Sequence, residues 1–264
     1  MDSQSKRVAL ITGASTGIGY DLAKIFAKEK WDLVLVARNK SKLEEVSKEI
    51  ENEFKVTVNI FPADLSLNES VEELYHFTKD RNLFVEVLVN NAGFGKAGEF
   101  ISNSLEDELG MIDLNIRSLV HLTKLYTRDM IANKKGKILN VASTASFQPG
   151  PFMSNYYATK SYVLHFSEGL YEELKPKGIT VTTLCPGPTR TEFQARAEMG
   201  NEKLVKGFLA MDSYPVALLG YKGLMSGKPI VIAGFINSMM ATSIRFTPRF
   251  MVRKLLGYVN RKAK

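Results

Sequence analysis

The residues of this chain best suited to proton transfer are Tyr156 and Lys160, within the stretch Ser-Asn-Tyr-Tyr-Ala-Thr-Lys at 154–160. Positions four apart fall on one face of a helix, one turn from each other. A free tyrosine has a pKa of about 10, and a nearby ammonium favours the phenolate and lowers that pKa. The pair therefore suits a proton donor for a carbonyl under reduction. For this spacing alone, a buried ring beside a solvated charge is the commoner interpretation.

A glycine-rich stretch, Thr-Gly-Ala-Ser-Thr-Gly-Ile-Gly at 12–19, lies between the first apolar run and the first helical pattern. Glycines let the backbone turn sharply and approach a pyrophosphate, and the following helix offers free N–H groups to it. The spacing is Gly-x-x-x-Gly-x-Gly, not the commoner Gly-x-Gly-x-x-Gly. It predicts a dinucleotide-binding loop, and the alternative is a turn with only a packing role.

The choice between two nicotinamide cofactors depends on the end of the second strand, where Ala37 is followed by Arg38. An acidic residue here would bind the ribose 2′-hydroxyl of NAD, whereas a guanidinium suits a 2′-phosphate or lies on an adenine ring. The pattern predicts NADP, with NAD the less favoured cofactor and a solvated loop arginine the alternative. Asp64, after the third strand, is placed to meet the adenine edge or to cap the next helix.

Short apolar runs alternate with amphipathic helical patterns along the chain. The runs lie at 8–11, 32–37, 56–61, 85–89, 137–141, 180–184 and 230–233, and the helices at 18–30, 41–54, 66–79, 105–133, 155–175 and 214–225. Ser66 is a candidate N-cap for its helix. This alternation predicts a single α/β domain over 1–264, a doubly wound Rossmann-type fold with a seven-stranded parallel sheet and helices on both faces. Ligands of such a sheet bind beyond the carboxyl ends of its strands.

The composition argues against a disulfide-bonded, a membrane-spanning and a metal-binding protein. The single cysteine, Cys185, excludes an intrachain disulfide, which fits a reducing compartment. The polar N-terminus carries no signal-peptide pattern, and no apolar run reaches the ~18 residues of a membrane span. We therefore expect a cytoplasmic location, with peripheral membrane contact as a variant of it. The histidines, at 76, 121 and 165, are too scattered to predict a metal site.

The net charge of +7 belongs to the C-terminus. Residues 213–264 hold nine of the 35 Lys and Arg and none of the 28 Asp and Glu, so residues 1–212 carry 26 positive and 28 negative charges, a net of −2. The pattern predicts a basic, amphipathic helical segment at about 235–264, with a helix start at Thr247 and Pro248. It either packs on its own domain or across a dimer, or contacts anionic lipid or an acidic carrier protein. Few stacking aromatics and a net negative body argue against nucleic acid.

In their order along the chain, the glycine loop, Asn-Asn-Ala-Gly at 90–93, Tyr156-x-x-x-Lys160 and Pro-Gly at 186–187 closely resemble the short-chain dehydrogenase/reductase family over roughly 7–233. In that family a serine thirteen residues before the tyrosine and an asparagine in the long fourth helix complete the catalytic set. The matching residues here are Ser143 and Asn115.

The resemblance implies a role for each member of this set. Tyr156 would give a proton to the carbonyl oxygen while the nicotinamide delivers hydride to the carbon. Lys160 would lower the pKa of Tyr156 and hold the nicotinamide ribose, and Ser143 would orient and polarise the carbonyl. Asn115 would hold a water that links Lys160 to solvent.

The resemblance also implies the cofactor contacts and a homodimer or homotetramer. The contacts would come from Gly13, Ser15, Thr16, Gly17, Ile18, Gly19, Arg38, Asp64, Leu65, Asn91, Ala92, Gly93, Tyr156, Lys160, Pro186, Gly187, Thr189 and Thr191, with Asn90 lining the same trough. Many NADP-using relatives carry a basic residue in the glycine loop, where this chain has Thr16. The prediction of NADP therefore depends mainly on Arg38.

The substrate is expected to contact the segments after the fifth and sixth strands, the second of them at about 188–212. Their apolar residues are Phe147, Pro149, Pro151, Phe152 and Met153, then Phe193, Met199, Leu204, Phe208, Leu209 and Met211. Because no cluster of Arg or Lys accompanies them, we expect a mostly apolar ketone, aldehyde or alcohol, such as a 3-oxoacyl or steroid-like compound. Space filling above the sheet is the alternative. A non-catalytic nucleotide sensor or scaffold on this fold is the competing function.

Overall fold

The computed structural model describes residues 7–193, 197 and 210–261. The strands in this part of the chain are β1 Val8–Thr12, β2 Asp32–Ala37, β3 Val58–Pro62, β4 Val85–Asn90, β5 Gly136–Val141, β6 Ile179–Cys185, β7 Thr189–Arg190, β8 Met211–Asp212 and β9 Ile230–Ile232. The helices are α1 Gly17–Lys28, α2 Lys40–Phe54, α3 Asn68–Asp80, α4 Leu105–Ile112, α5 Leu119–Ala132, α6 Ser154–Leu174, α7 Ser213–Met225, α8 Phe235–Ser243 and α9 Arg249–Arg261.

Seven of the strands form one parallel sheet in the order β3-β2-β1-β4-β5-β6-β9. Every residue of β1 and β4 is buried, as expected for strands covered on both faces. The order reverses direction between β1 and β4, and a crevice opens there at the carboxyl ends of the strands. The predicted seven-stranded Rossmann-type sheet is confirmed. A small parallel pair, β7 with β8, was not predicted.

Two apolar layers hold helices against the two faces of the sheet. On one face, α1, α2 and α7 contribute Phe26, Leu43 and Val216 to the core. On the other, α3 and α5 contribute Leu74 and Tyr126. The predicted doubly wound arrangement is thus confirmed. That residues 1–264 form a single domain stays a prediction.

The long helix predicted at 105–133 is broken by a π-helical turn, Asp113–Ser118, between α4 and α5. A π turn inserts an extra residue into the helical hydrogen-bond pattern and changes the direction of the side chains that follow. Asn115, in the middle of this turn, is buried. The interruption of the helix therefore coincides with a buried polar side chain.

The predicted N-cap at Ser66 is wrong. Helix α3 begins two residues later, at Asn68, and its N-cap position is Leu67. The Ser66 hydroxyl and backbone N–H both donate to Asp64 Oδ1, at 2.7 and 3.0 Å. Asp64 thus organises the turn before α3 through Ser66.

The C-terminal segment is helical, as predicted for 235–264, over the residues that the structure describes there. Its α8 is continued by a 3-10 turn, Ile244–Phe246, and α9 follows. Asn260 of α9 donates a 2.9 Å hydrogen bond to the Pro151 carbonyl, which ties the end of the chain to the loop after β5. Among the helices described, none has both the length and the apolar composition needed to cross a bilayer.

Candidate active site

A cleft of about 670 Å³ lies at the carboxyl ends of the central strands. It is lined by most of the predicted site residues, namely Gly13, Ser15, Thr16, Gly17, Ile18, Arg38, Asp64, Leu65, Asn91, Ala92, Gly93, Ser143, Tyr156, Lys160, Pro186, Gly187, Thr189 and Thr191. The volume is in the range of small-molecule and cofactor sites. Asn90, Asn115 and Gly19 do not line it.

The glycine loop owes its shape to two positive φ angles, +65° at Gly13 and +57° at Gly17. A side chain at Gly17 would lie 2.9 Å from the Thr191 methyl group, so this glycine also lets the segment after β7 approach α1. Gly19 acts from behind the loop, because a Cβ there would overlap the Gly13 carbonyl. The first N–H groups of α1 are left pointing toward the cleft, the arrangement that binds a phosphate.

Thr12 joins the glycine loop to the segment after β4, a role that the sequence analysis missed. Its hydroxyl oxygen accepts from the backbone N–H groups of Asn91 and Ala92, both at 3.0 Å. The Asn91 amide in turn donates to the carbonyls of Thr12 and Gly13, at 2.9 and 3.1 Å. Two loops from neighbouring strands are thereby held as one rigid floor of the cleft.

Arg38 and Asp64 lie at the end of the cleft that is formed by the residues after β2 and β3. The Arg38 side chain is 68% exposed, and its Nη1 lies 3.7 Å from Asp64 Oδ2. Burial alone would raise the pKa of Asp64, but hydrogen bonds from Ser66 and the Arg38 charge lower it overall. Because the ion pair is long and exposed, it contributes little stability. Arg38 can therefore turn toward a ligand at small energetic cost.

Tyr156 is buried where the cleft narrows, with its ring centroid 5.4 Å from that of Phe193. Burial raises its pKa above the ordinary value, and a hydrogen bond with the Ser143 hydroxyl opposes that rise. The expected lowering of this pKa by Lys160 is not found. The Lys160 ammonium lies 5.9 Å from the ring centroid and donates to the Val141 carbonyl at 2.9 Å, so its charge is directed at the backbone of β5.

Lys160 is itself buried, and burial lowers its pKa to about 8. The ammonium form is disfavoured because it has left water and no carboxylate among the described residues pairs with it. Near neutral pH the group is still mostly charged. Cys185 lies close enough to interact with it, and burial raises the pKa of that thiol to about 12.

Asn115 joins the loop after β4 to α6, and it does not reach the cleft. Its Oδ1 accepts from the Phe94 N–H at 3.0 Å, and its Nδ2 donates to the Phe94 carbonyl at 2.9 Å and to Thr159 Oγ1 at 3.0 Å. Gly93 packs against it, since a Cβ there would lie 2.8 Å from Asn115 Oδ1. The side chain therefore positions the backbone beside Lys160.

Asn90 was expected to line the cofactor trough, and that expectation is wrong. Its side chain points below the site, where Nδ2 donates to Asn140 Oδ1 at 2.9 Å and to Thr123 Oγ1 at 3.1 Å. Asn140 continues the network to Ser167 at 2.8 Å. A fully buried polar chain of this kind fixes the ends of β4 and β5 relative to α6.

Gly95 is a site residue that the sequence analysis missed. A Cβ there would lie 2.9 Å from Tyr156 Cδ2 and 3.0 Å from Phe193 Cζ. Only a residue without a side chain leaves both rings in place. The signal was weak, because Gly95 follows the Asn-Asn-Ala-Gly motif without belonging to it.

The other end of the cleft is apolar and differs in part from the prediction. Met153 and Phe193 line it as expected, but Phe147 packs in the core beside Leu119 and Val163. Pro149, Pro151, Phe152 and Met211 do not line it, while Met199, Leu204, Phe208 and Leu209 lie outside the described residues. The wall is completed by residues from the C-terminal helices: Met240, Ala241, Ile244, Leu256, Val259 and Asn260.

The family of the chain follows from comparison with known proteins. The family model for short chain dehydrogenase matches residues 7–202. The chain belongs to this family. A very-long-chain 3-oxoacyl-CoA reductase from Anas platyrhynchos is 32% identical over 89% of this chain and 76% of its own length. Hydroxysteroid dehydrogenase-like protein 1 from Gallus gallus is 37% identical over 68% of this chain, which spans only 55% of that relative.

Solved structures of short-chain dehydrogenases agree with the fold. A short-chain dehydrogenase from Sphingobium yanoikuyae in complex with NADPH is 31% identical, with a TM-score of 0.83 over 91% of this chain and 92% of that one. A family member from Burkholderia phymatum in complex with NAD is 23% identical, with a TM-score of 0.81 over 93% and 94% of the two chains. The chain is thus an oxidoreductase of this family on a nucleotide-binding fold, and its neighbours include complexes with either nicotinamide cofactor.

Proposed function

We propose that this protein is an NADP(H)-dependent oxidoreductase that interconverts a mostly apolar carbonyl compound and its alcohol. One observation carries the proposal: Tyr156 and Ser143 line the same cleft as the glycine loop and an apolar chamber walled by side chains of α8 and α9. A carbonyl oxygen bound there would meet two hydroxyls, while its carbon skeleton lay against apolar side chains.

The residues of the chain would divide the reaction between them. Tyr156 would donate its proton to the carbonyl oxygen, and Ser143 would hold that oxygen by a hydrogen bond. NADPH, when bound on the glycine loop, supplies the hydride. Lys160, with its lowered pKa, would pass a proton toward Tyr156. Asn115 would act as a positioning residue, through the backbone of Phe94.

The proposed preference for NADP is supported by the positive charge of Arg38, at the end of the cleft where the adenosine would bind. Arg38 lines the cleft, and among the residues that the structure describes its ion pair is the long one with Asp64. A 2′-phosphate would gain a charge-assisted hydrogen bond from the guanidinium. NAD lacks that phosphate and would leave Arg38 without a ligand group to bind.

The substrate class is inferred from the wall of the chamber. Met153, Phe193, Met240, Ile244 and Leu256 offer apolar contact to a chain or a ring system. The names of two relatives, a very-long-chain 3-oxoacyl-CoA reductase and a hydroxysteroid dehydrogenase-like protein, fit the same chemistry. We therefore favour a 3-oxoacyl or steroid-like ketone over a small oxoacid.

A substrate screen tests the proposal. Purified protein is mixed with NADPH or NADH and with 3-oxoacyl thioesters, steroid ketones, bulky aldehydes and small charged oxoacids, and the loss of absorbance is followed. We expect turnover with NADPH and an apolar ketone, and none from Tyr156→Phe. A clear preference for small oxoacids would refute the substrate class. NADPH binding without turnover of any carbonyl would favour the competing function, a nucleotide sensor or scaffold.

We also propose a homodimer or homotetramer in the cytoplasm, with the chain folded as one domain. Exposed apolar residues on one ridge of α4, Leu105, Leu109 and Ile112, support self-association. Light scattering on the purified protein gives the mass directly. A monomer at micromolar concentration would contradict the oligomer.

A further inference from the structure

Helix α9 has two apolar faces, and the cleft accounts for only one. Val252 is buried, and Leu256, Val259 and Asn260 line the cleft. Because positions three and four apart share a helix face, these residues form one inner stripe. The inner stripe therefore explains why α9 packs where it does. It does not explain the apolar residues on the opposite side.

The outer surface of the C-terminal segment is apolar at positions that contribute nothing to the core. Phe246 is 84% exposed, Leu255 64% and Phe250 55%. Phe235, Met239, Met251 and Tyr258 are exposed on the same helices and do not line the cleft. A monomer seldom exposes so many large apolar side chains on neighbouring elements unless something binds them.

The cations of the same surface indicate the charge of the partner. Arg245, Arg249, Arg253, Lys254 and Arg261 are all exposed there. No Asp or Glu occurs anywhere in 213–264, so nothing within the segment neutralises them. The complementary partner is an extended negative surface that also accepts apolar side chains.

A shallow depression at the edge of α9 gathers three of these charges. It measures about 440 Å³ and is lined by Arg253, Lys254 and Arg261, together with Tyr258 and the loop residues Pro151 and Phe152. The Arg261 guanidinium lies 5.1 Å from the centroid of the Phe152 ring. Cations around an aromatic rim suit a phosphodiester group at the boundary between water and acyl chains.

We propose that the outer face of α8 and α9 docks on the surface of an anionic phospholipid bilayer. The apolar side chains enter the headgroup boundary, and the cations bind lipid phosphates and carboxylates. A second copy of the chain is the less suitable occupant, because a two-fold contact would place the same cations of both copies against each other. The proposal does not depend on the reaction assigned to the cleft.

Vesicle flotation with the full-length protein tests whether the outer face of α8 and α9 binds an anionic bilayer. The vesicles are phosphatidylcholine with or without phosphatidylserine. We expect binding to the anionic vesicles only, lowered about 100-fold in the variant R249Q/R253Q/K254Q, since each basic residue near the surface contributes severalfold. The variant F250S/L255S removes two exposed apolar groups and should bind at least about tenfold more weakly.

Matched control variants distinguish binding through this surface from nonspecific electrostatic or hydrophobic binding to vesicles. K48Q/K55Q/K177Q removes three exposed cations from other elements, and F100S/I101S removes two exposed apolar residues before α4. Both should bind as wild type does. Circular dichroism melting checks that every variant is folded.

Three results would overturn the proposal: equal binding to both vesicle types, wild-type binding by both tail variants, or no binding at all. A lower mass of F250S/L255S in light scattering would also overturn it, because the face would then be covered by a second copy.

Discussion

The two ends of the cleft are built in different ways. The end formed by the glycine loop, where we propose that the cofactor binds, is called the cofactor end, and it is held by hydrogen bonds between loops that directly follow strands, as in the bonds of Thr12 with Asn91. The other end, proposed for the substrate and called the substrate end, is walled by Met153, Phe193 and side chains of α8 and α9, two helices that come after the last strand. The first end depends on backbone geometry, and the second depends on which side chains the final helices carry.

This difference indicates which end of the cleft tolerates amino-acid substitutions. A residue in the glycine loop must satisfy a positive φ angle or a close contact, so few replacements fit. Apart from Asn260, which makes a hydrogen bond, a residue on the inner stripe of α9 must only be apolar and of suitable size. We therefore expect the cofactor end to respond to substitution with large, specific losses and the substrate end with moderate shifts in preference.

The largest effect is expected for Tyr156→Phe at the junction of the two ends. Loss of the proton donor should lower kcat by about 10²- to 10⁴-fold, while NADPH affinity, measured by fluorescence titration, stays unchanged. Tyr157→Phe is the matched control, because this neighbouring phenol also lines the cleft. If Tyr157→Phe lost more activity than Tyr156→Phe, the assignment of the proton donor would be reversed.

At the cofactor end, Lys160→Met should lower activity and raise the free energy of unfolding. Turnover should be largely lost, yet the variant should unfold less readily at pH 7. The pKa of Lys160 falls from 10.5 to about 8, so the buried ammonium costs up to about 3 kcal/mol wherever it is charged in both states.

The pH dependence of wild-type stability follows with a definite sign. Between pH 8 and 10.5 the unfolded chain binds more protons at this lysine than the folded chain, so this group makes the unfolding free energy rise with pH across that window. Urea unfolding at pH 7, 8, 9 and 10 measures it. Lys160→Met should lack this contribution, and the exposed Lys177→Met should keep it. An equal rise in both variants would mean that another group titrates.

Arg38→Gln tests the cofactor preference. Loss of a charge-assisted hydrogen bond should raise the Kd of NADPH by about 10- to 100-fold and leave that of NADH nearly unchanged. Lys40→Gln, two residues away and exposed, is the control and should change neither by more than a small factor. Equal losses for both cofactors would show that Arg38 contacts a part that they share.

Asn260→Ala tests the substrate end. Removing its bond to the Pro151 carbonyl loosens the wall formed by α9 and should raise KM for the carbonyl substrate by about fivefold, the worth of one hydrogen bond. The Kd of NADPH should not change. Leu255→Ala, on the outer side of the same helix, should leave KM as it is. An altered NADPH affinity in Asn260→Ala would mean that the two ends are not separable.

Most residues predicted for the glycine-loop end do line the cleft, because the sequence signals for that end are local. A strand, a run of glycines and a helix are neighbours along the chain, so the loop could be placed before any packing was known. The sheet and its helices followed from periodicity for the same reason. Asn90 was misplaced because the direction of its side chain depends on a buried hydrogen-bond network, which no local pattern specifies. The π turn around Asn115 was not predicted either, and the water-holding role of Asn115 stays a prediction.

The substrate wall could not be predicted in the same way. Met240 and Ile244 reach the cleft only because the last helices return over the sheet, a contact between distant parts of the chain. Gly95 was missed because its importance comes from the rings of Tyr156 and Phe193 packed against it. Such positions are recognised by what surrounds them in space.

The order of the elements has a consequence for how the specificity of this enzyme can diverge. Every strand that ends at the cleft precedes α8 and α9, and the family match itself ends at residue 202. We therefore expect that replacing residues 235–264 with the matching segment of a relative would shift the choice of carbonyl substrate and leave the nicotinamide cofactor unchanged. The terminal helices could thus diverge between relatives while the sheet and the glycine loop stay the same.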